Sequence, residues 1–283
     1  MESLQQPGII LNEELVRRHS SERSLYATPE LNESLFVHHL SISRIGDISG
    51  YINVTTLCIE SNKLRNLNGL SQMPNLKYLN VNFNLIETLD FSDNVFNNPR
   101  LQEFHALGNS ITTILPPEGD ILSLKMLKIN KNRLTDLVDL SFLPSLEVLD
   151  ISSNHFSLST ETATAEFEDF LSQKLSRSVK QLYVSPNDFV GSVRHFRART
   201  IVACPQLIYL DKCSVSAEER ELAVAELSQD SNSIRAVREA HKLKSVKEMD
   251  DRIKNLREFQ KTYSEVDQLR RELLSFVNHS LSC

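Results

Sequence analysis

The 283-residue sequence predicts an α/β solenoid of short stacked coils, with a parallel concave sheet, a C-terminal cap and a helical tail. Three observations predict it. An apolar motif built around an asparagine recurs along most of the chain. An amphipathic segment then closes on a proline, and a long run of apolar residues at steps of three and four follows a polar break.

Residues 1–33 read as an N-terminal lead-in. Its apolar patch, around Gly8 to Leu11, is short. A basic start, a long apolar core and a small-residue cleavage site are all missing, so no secretory leader is expected.

The coils begin at Ser34 with a degenerate copy. Leu35, Val37, Ile42 and Ile45 keep the apolar frame, and Leu40 stands where later copies have asparagine. A departure of this kind suits a terminal coil. Leu57-Cys-Ile59-Glu-Ser-Asn62-Lys-Leu64-Arg-Asn-Leu67 has the complete form LxLxxNxLxxL. The frame returns around Asn84, Asn109, Asn132, Asn154 and Asn187, at steps of 22, 25, 23, 22 and 33 from Asn62. In each copy the LxL pair makes a short strand with both apolar side chains inward, because strand side chains alternate faces. The asparagine sits at the sharp turn that follows, where its amide can satisfy backbone groups that the turn leaves buried. These six residues therefore read as a structural ladder. One coil cannot bury its apolar face alone, but stacked coils can. The pattern is the leucine-rich repeat of the short class.

The longest step contains Phe167, Phe170, Leu171 and Leu175 on one helical face, so the outer element of that repeat is expected to be an α-helix. Next comes His195–Asp211, an amphipathic helix ending at Pro205 and a last strand closing on Leu210-Asp211. It reads as the cap, and the solenoid with its cap is placed at 34–213. Its Arg194, Arg197 and Arg199 form either a solvated face or a contact for an acidic partner. The tail, 214–283, starts with a capping box at Ser216-Ala-Glu-Glu219 and breaks at Asp230–Ser233. Beyond it, apolar residues run from Ile234 to Phe276. Those from Val246 to Leu256 keep a heptad, and the step to Phe259 breaks it. Tail-mediated self-association is one reading; folding back onto the solenoid is the other.

A net charge of −6 disfavours a nucleic-acid or anionic-membrane partner, since both want concentrated lysine and arginine. No stretch reaches the ~18 apolar residues of a membrane span. Cys58, Cys204, Cys213 and Cys283 make no CxxC pair and no zinc spacing, so free thiols in a reducing, cytoplasmic compartment are expected. Neither a metal nor a cofactor is expected. Phosphate-binding, dinucleotide-binding, nucleophile-elbow and HExxH motifs are absent. His38 and His39 alternate across a strand. A His105–Cys58 dyad would have to bridge two repeats. No catalytic residue is assigned, and a broad curved sheet suits a partner surface better than a pocket.

Residues alternating with the inward leucines form three ladders across the concave side. The first is Ser34, Thr56, Tyr78, Glu103, Met126, Val148 and Gln181. The second is Phe36, Cys58, Asn80, His105, Lys128, Asp150 and Tyr183. The third is His38, Glu60, Asn82, Leu107, Asn130, Ser152 and Ser185. The candidate partner-binding residues are Phe36, His38, Cys58, Glu60, Tyr78, Asn80, Asn82, Phe83, Glu103, His105, Leu107, Met126, Lys128, Asn130, Asp150 and Tyr183. Aromatic residues and methionine in a polar setting are the material of binding hot spots.

Two flanking segments resemble a known family. Leu25-Tyr26-Ala-Thr28-Pro29-Glu-Leu31-Asn32-Glu-Ser-Leu35-Phe36, running into Ser43-Arg44-Ile45, is similar to the lead-in of the dynein axonemal assembly factor 1 family, also called leucine-rich-repeat-containing protein 50. So are Glu13-Glu14-Leu15-Val-Arg17-Arg18 and the cap's Arg199-Thr200-Ile201 and Leu207-Ile-Tyr209-Leu210-Asp211. The resemblance covers roughly 12–230. It implies a non-enzymatic cytoplasmic scaffold that helps preassemble axonemal dynein arms for cilia or flagella, with dynein chains and chaperone machinery as partners. Two alternatives stay open: an axoneme-bound dynein light-chain-like subunit, and a phosphatase-regulator or spliceosomal-type repeat adaptor.

Overall fold

The computed structural model describes residues 8–19, 22, 25–228 and 231–280; the side chains of 231, 262, 264, 265, 267–269 and 272–280 lie outside that description, among them Leu273 and Phe276. The chain divides into two compact units, Met1–Ala223 and Val224–Cys283.

The first unit opens with β1 (Ile9–Leu11) and α1 (Glu13–His19), followed by β2 (Ser34–Phe36) and β3 (Ile42–Ile45). β1 pairs in parallel with β3, the return strand of the first coil, and Leu11 and Val16 are fully buried. The lead-in is therefore built into the solenoid rather than set before it, because its few apolar residues close the open end of the first, incomplete coil. The later coils contribute β4 (Thr56–Cys58), β5 (Tyr78–Asn80), β6 (Thr88–Asp90), β7 (Glu103–His105), β8 (Thr113–Leu115), β9 (Met126–Lys128) and β10 (Val148–Asp150). Then come α2 (Ala163–Asp169), β11 (Gln181–Tyr183), α3 (Phe196–Ala203), β12 (Tyr209–Leu210) and β13 (Cys213–Ser214).

Nine strands form one sheet in the order β13-β12-β11-β10-β9-β7-β5-β4-β2, parallel except for the last hairpin of β12 and β13. Leu35, Leu57, Leu79, Phe104, Leu127, Leu149, Leu182 and Leu210 lie opposite one another along it and are all buried. β6 and β8 pair separately where two neighbouring coils return. The apolar motif foretold those return residues as buried, but not their pairing as strands.

Each asparagine ties its coil to the one before. Asn132 Oδ1 accepts the Ile111 N–H at 3.1 Å, and Nδ2 donates to Ala106 O and Ile129 O at 2.9 Å each. Asn62, Asn84, Asn109, Asn154 and Asn187 repeat the arrangement, and all six are nearly excluded from water. The residue before each of five of them turns the chain through the left-handed region, with φ of 55° at Ser61, 53° at Phe83, 67° at Gly108, 54° at Lys131 and 54° at Ser153. At most positions an L residue bears the cost of that conformation, and the asparagine bonds offset it. Gly108 is the exception for a second reason: a Cβ there would come within 2.7 Å of the Phe83 ring.

The long repeat does carry its helix. α2 widens into a π-helical turn over Phe170–Lys174, and Phe167, Phe170, Leu171 and Leu175 are buried. Phe167 stacks on Phe196 of α3 at 5.0 Å and meets Phe189 at 5.5 Å. A second aromatic group fills the middle of the solenoid, where Phe96 lies 4.5 Å from Phe91 and 5.1 Å from Phe104.

The boundary expected at 213/214 falls inside β13, and the compact unit continues into α4 (Ala217–Leu227). Two arginines explain why. Arg197 donates to both Glu219 carboxylate oxygens and to Ser214 O. Arg220 donates to Ile201 O at 2.6 Å and Leu207 O at 2.8 Å, and at 3.3 Å to Cys204 O, which also accepts the Leu207 N–H, so one side chain ties the end of α3 to the segment after it. Half of the anticipated capping box forms: Glu219 N–H donates to Ser216 Oγ at 3.0 Å, but the Glu219 carboxylate turns to Arg197 instead. Arg197 and Arg199 therefore pair inside the chain, with Glu219 and Glu168, and of the three cap arginines only Arg194 keeps an exposed side chain. Replacing Arg220 with methionine takes the side-chain donor from the Ile201 and Leu207 carbonyls and is expected to cost about 2 kcal/mol, read as a lowered melting temperature of the full chain.

The second unit consists of the end of α4 and α5 (Ser231–Ser280), a 50-residue helix. The break expected at Asp230–Ser233 is placed too late: Ser231, Asn232 and Ser233 already belong to α5, and Asp230 lies outside the described residues. No described helix is long and apolar enough to cross a membrane.

A candidate partner-binding concave face

The strand register sets Ser34, Thr56, Tyr78, Glu103, Met126, Val148 and Gln181 in one row, and Phe36, Cys58, Asn80, His105, Lys128, Asp150 and Tyr183 in the next. The third row falls in the turns. Its residues follow one another through the bonds His39 N–H to Glu60 O, Ser61 N–H to Asn82 O and Phe83 N–H to Leu107 O. Continued through Gly108 N–H to Asn130 O and Lys131 N–H to Ser152 O, the row runs as far as Ser152; there Ser153 N–H donates to Pro186 O, so Ser185 does not continue it.

At the centre lies a contiguous cluster. Tyr78 and His105 meet edge to face at 4.9 Å, with the phenol oxygen 3.3 Å from His105 Nδ1. His105 Nε2 is 3.3 Å from Met126 Sδ and 3.7 Å from a Glu103 carboxylate oxygen. Beside them Phe83 covers Gly108 and stays 51% exposed, and Leu107 is half-buried. Phe36, on the terminal strand β2, is 41% exposed. Toward the C-terminal half, Leu107, Lys128, Asn130, Asp150 and Tyr183 line a shallow concavity of about 350 Å³. Val148 and Gln181 line it too; both stand in the first row, and neither residue type marks a contact by itself.

Some expected contacts are spent internally. Asn80 is buried; its amide donates to the Glu60 carboxylate and its oxygen accepts the Asn82 N–H at 3.0 Å. Asn82 in turn accepts the Leu107 N–H at 2.6 Å. Asp150 takes both the N–H and the hydroxyl of Ser152. These groups shape the turns and offer a partner less than their polarity suggested. His38 and His39 leave the strand, contrary to the alternation read from the sequence. They occupy the turn after β2, their rings edge to face at 5.5 Å, because His39 adopts a left-handed φ of 57°.

Burial keeps the two groups weighed as a catalytic pair, Cys58 and His105, in their neutral forms. Burial, reinforced by Glu60, pushes the Cys58 thiol up to about 11, so it is not a poised thiolate. Asn80 stands between Cys58 and His105 in the register, and two strand spacings, roughly 10 Å, keep the two residues apart. Burial first, and then Lys128, lowers His105 to about 4. A histidine so lowered is neutral when folded, while the unfolded chain takes up its proton near pH 6.5. Its contribution to stability is present above pH 6.5 and fades as pH falls toward 4. The melting temperature of the wild-type chain should therefore fall more between pH 7 and pH 5 than that of His105→Gln. Equal slopes would show that His105 does not sense its burial. Among the described residues no group of three or more histidine, cysteine, aspartate or glutamate side chains is placed to hold a metal.

A parallel sheet of LxL strands, an inter-coil asparagine ladder and a capped end define the chain as a leucine-rich-repeat solenoid. No protein-family model matches it. Over 139 residues, 44% of the chain, it is 35% identical to the protein BRASSINOSTEROID INSENSITIVE 1 of Arabidopsis thaliana, of which it spans 11%. Over 137 residues, 46% of the chain, it is 28% identical to tubulin-specific chaperone E of Xenopus laevis, of which it spans 26%. Among solved structures, the leucine-rich-repeat domain of APL1B shares 24% identity at a TM-score of 0.44, covering 66% of this chain and 48% of that one. The chain thus spans a minor part of the curated relatives it matches.

Proposed function

We propose that the chain is a non-enzymatic scaffold that grips a protein partner on its concave face and acts in the cytoplasmic preassembly of axonemal dynein arms. The observation that carries the binding role is the contiguous group of Tyr78, Phe83, His105, Leu107 and Met126. A rigid sheet holds these side chains at partial exposure, where a partner can desolvate them together. The dynein-arm role is supported by the lead-in around Tyr26-Ala-Thr28-Pro29 and the cap around Tyr209-Leu210-Asp211, both similar to the assembly-factor family. The similarity to a tubulin-specific chaperone fits a role in handling cytoskeletal clients. Affinity capture with the tagged full chain from a flagellate cell tests the reading. It should recover axonemal dynein heavy or intermediate chains together with chaperones from the detergent-soluble fraction. Retention of the chain in the detergent-resistant axoneme would instead support a light-chain-like subunit, and recovery of neither dynein nor chaperone would overturn the proposal.

A further inference from the structure

We propose that α5 pairs with α5 of a second copy of this chain, running antiparallel and centred between Ile253 and Leu256. The helix spans ~75 Å at 1.5 Å per residue. Leu243, Val246, Met249, Ile253, Leu256, Phe259, Tyr263 and Val266 are all exposed along it, between 40% and 71%. Eight large apolar side chains in a row on one described helix exceed the scattered exposure of an ordinary surface.

Val246, Met249, Ile253, Leu256, Gln260 and Tyr263 follow alternating steps of three and four, which places them on one seam. Phe259 leaves that seam and falls on its flank. Asp250 and Arg257 lie on one flank of the seam, and Arg252 and Phe259 lie on the other. None of Asp250, Arg252 and Arg257 is engaged in an ion pair among the described residues.

Charge on the flanks selects both the occupant and its direction. In a parallel pair, opposite flanks meet and Arg252 faces Arg257 of the second copy, a like-charge contact. In an antiparallel pair, like flanks meet. Asp250 then faces Arg257 of the second copy, and the two-fold axis makes this attraction twice. On the other side Arg252 comes over the Phe259 ring of the second copy, a cation–π contact. The seam closes in the same register, with Ile253 on Leu256, Val246 on Tyr263 and Met249 on Gln260. The helix is thus complementary to its own reverse, and the Gln260 amide is a polar group in the seam that helps to fix its register.

Sedimentation equilibrium of the full chain is the test. The wild type should show a reversible monomer–dimer equilibrium, and Ile253→Asp should remain monomeric with its far-ultraviolet dichroism unchanged. Arg257→Glu should weaken the dimer by about tenfold or more, because Asp250 then meets Glu at both ends. The exchange Asp250→Arg with Arg257→Asp should restore it to within about threefold. A tighter dimer with Arg257→Glu would be the signature of the parallel arrangement and would overturn the proposal. So would a wild type that stays monomeric, or an Arg257→Glu dimer of unchanged strength.

Discussion

Replacing Asn132 with alanine should lower the melting temperature of the solenoid by roughly 6–12 °C, the equivalent of about 3 kcal/mol in a unit of this size. The substitution leaves the Ile111 N–H without its partner at a site closed to water, and takes one of two donors from each of the Ala106 and Ile129 carbonyls, which keep Asn109 and Asn154. A buried backbone group left unsatisfied costs its desolvation in full, which is more than the net worth of the bond that was lost. Position matters as well. Asn132 sits in the middle of the array, and in a stack where each coil touches only its neighbours a weak central joint separates the two halves. Asn66→Ala is the control: Asn66 is exposed and bonds only the nearby Asn68 N–H, so the change should stay within about 0.5 kcal/mol. Thermal unfolding followed by circular dichroism reads both. Equal effects at the two sites would mean that the ladder does not hold the coils together.

Phe104→Ala should cost about 3–5 kcal/mol, the range for emptying a fully buried aromatic site. Phe104 occupies the place that leucine takes in the neighbouring coils, opposite Leu79 and Leu127, and its ring rests edge-on against Phe96 at 5.1 Å. The cavity cannot close easily, because Phe91, Phe96 and Phe142 already pack on one another. Phe104→Leu returns the residue of the other repeats and should cost about 1.5 kcal/mol or less, since the strand register is kept and only the ring contact is lost. Denaturant unfolding monitored at two wavelengths measures both. An alanine variant no worse than the leucine variant would show that the aromatic group is not packed as the structure has it.

The repeats made the fold legible because a strand with period two and a turn asparagine leave a mark that survives any change on the surface. Leu57, Leu79 and Leu127 announce the sheet, and Asn62 through Asn187 announce the turns. Less legible was everything held by a single long side chain. Arg220 reaches three carbonyls and Arg197 both Glu219 oxygens, yet neither belongs to a periodic pattern, so the repeat pattern ends the solenoid at 213 while the compact unit runs into α4. The lead-in is hard to read for a similar reason: its pairing with β3 spans more than thirty residues and rests on three apolar positions, Ile9, Ile10 and Leu11. On the concave face the order of the rows followed from alternation alone. Which polar groups remain available did not, because Asn80 and Asp150 are consumed by turns that only the three-dimensional path reveals.

The most direct measurement compares two sides of the molecule for capture of axonemal dynein chains from flagellate cytoplasm. One variant carries Tyr78→Ser, Phe83→Ser and Met126→Ser on the concave face. The other carries Leu85→Ser and Leu122→Ser, which are 40% and 68% exposed and lie off the concave rows. With both variants folded by circular dichroism, the concave variant should lose at least about tenfold of the captured dynein, the loss expected when a central hot spot is removed, and the other should match the wild type. Undiminished capture by the concave variant would contradict the assignment of the partner to this face.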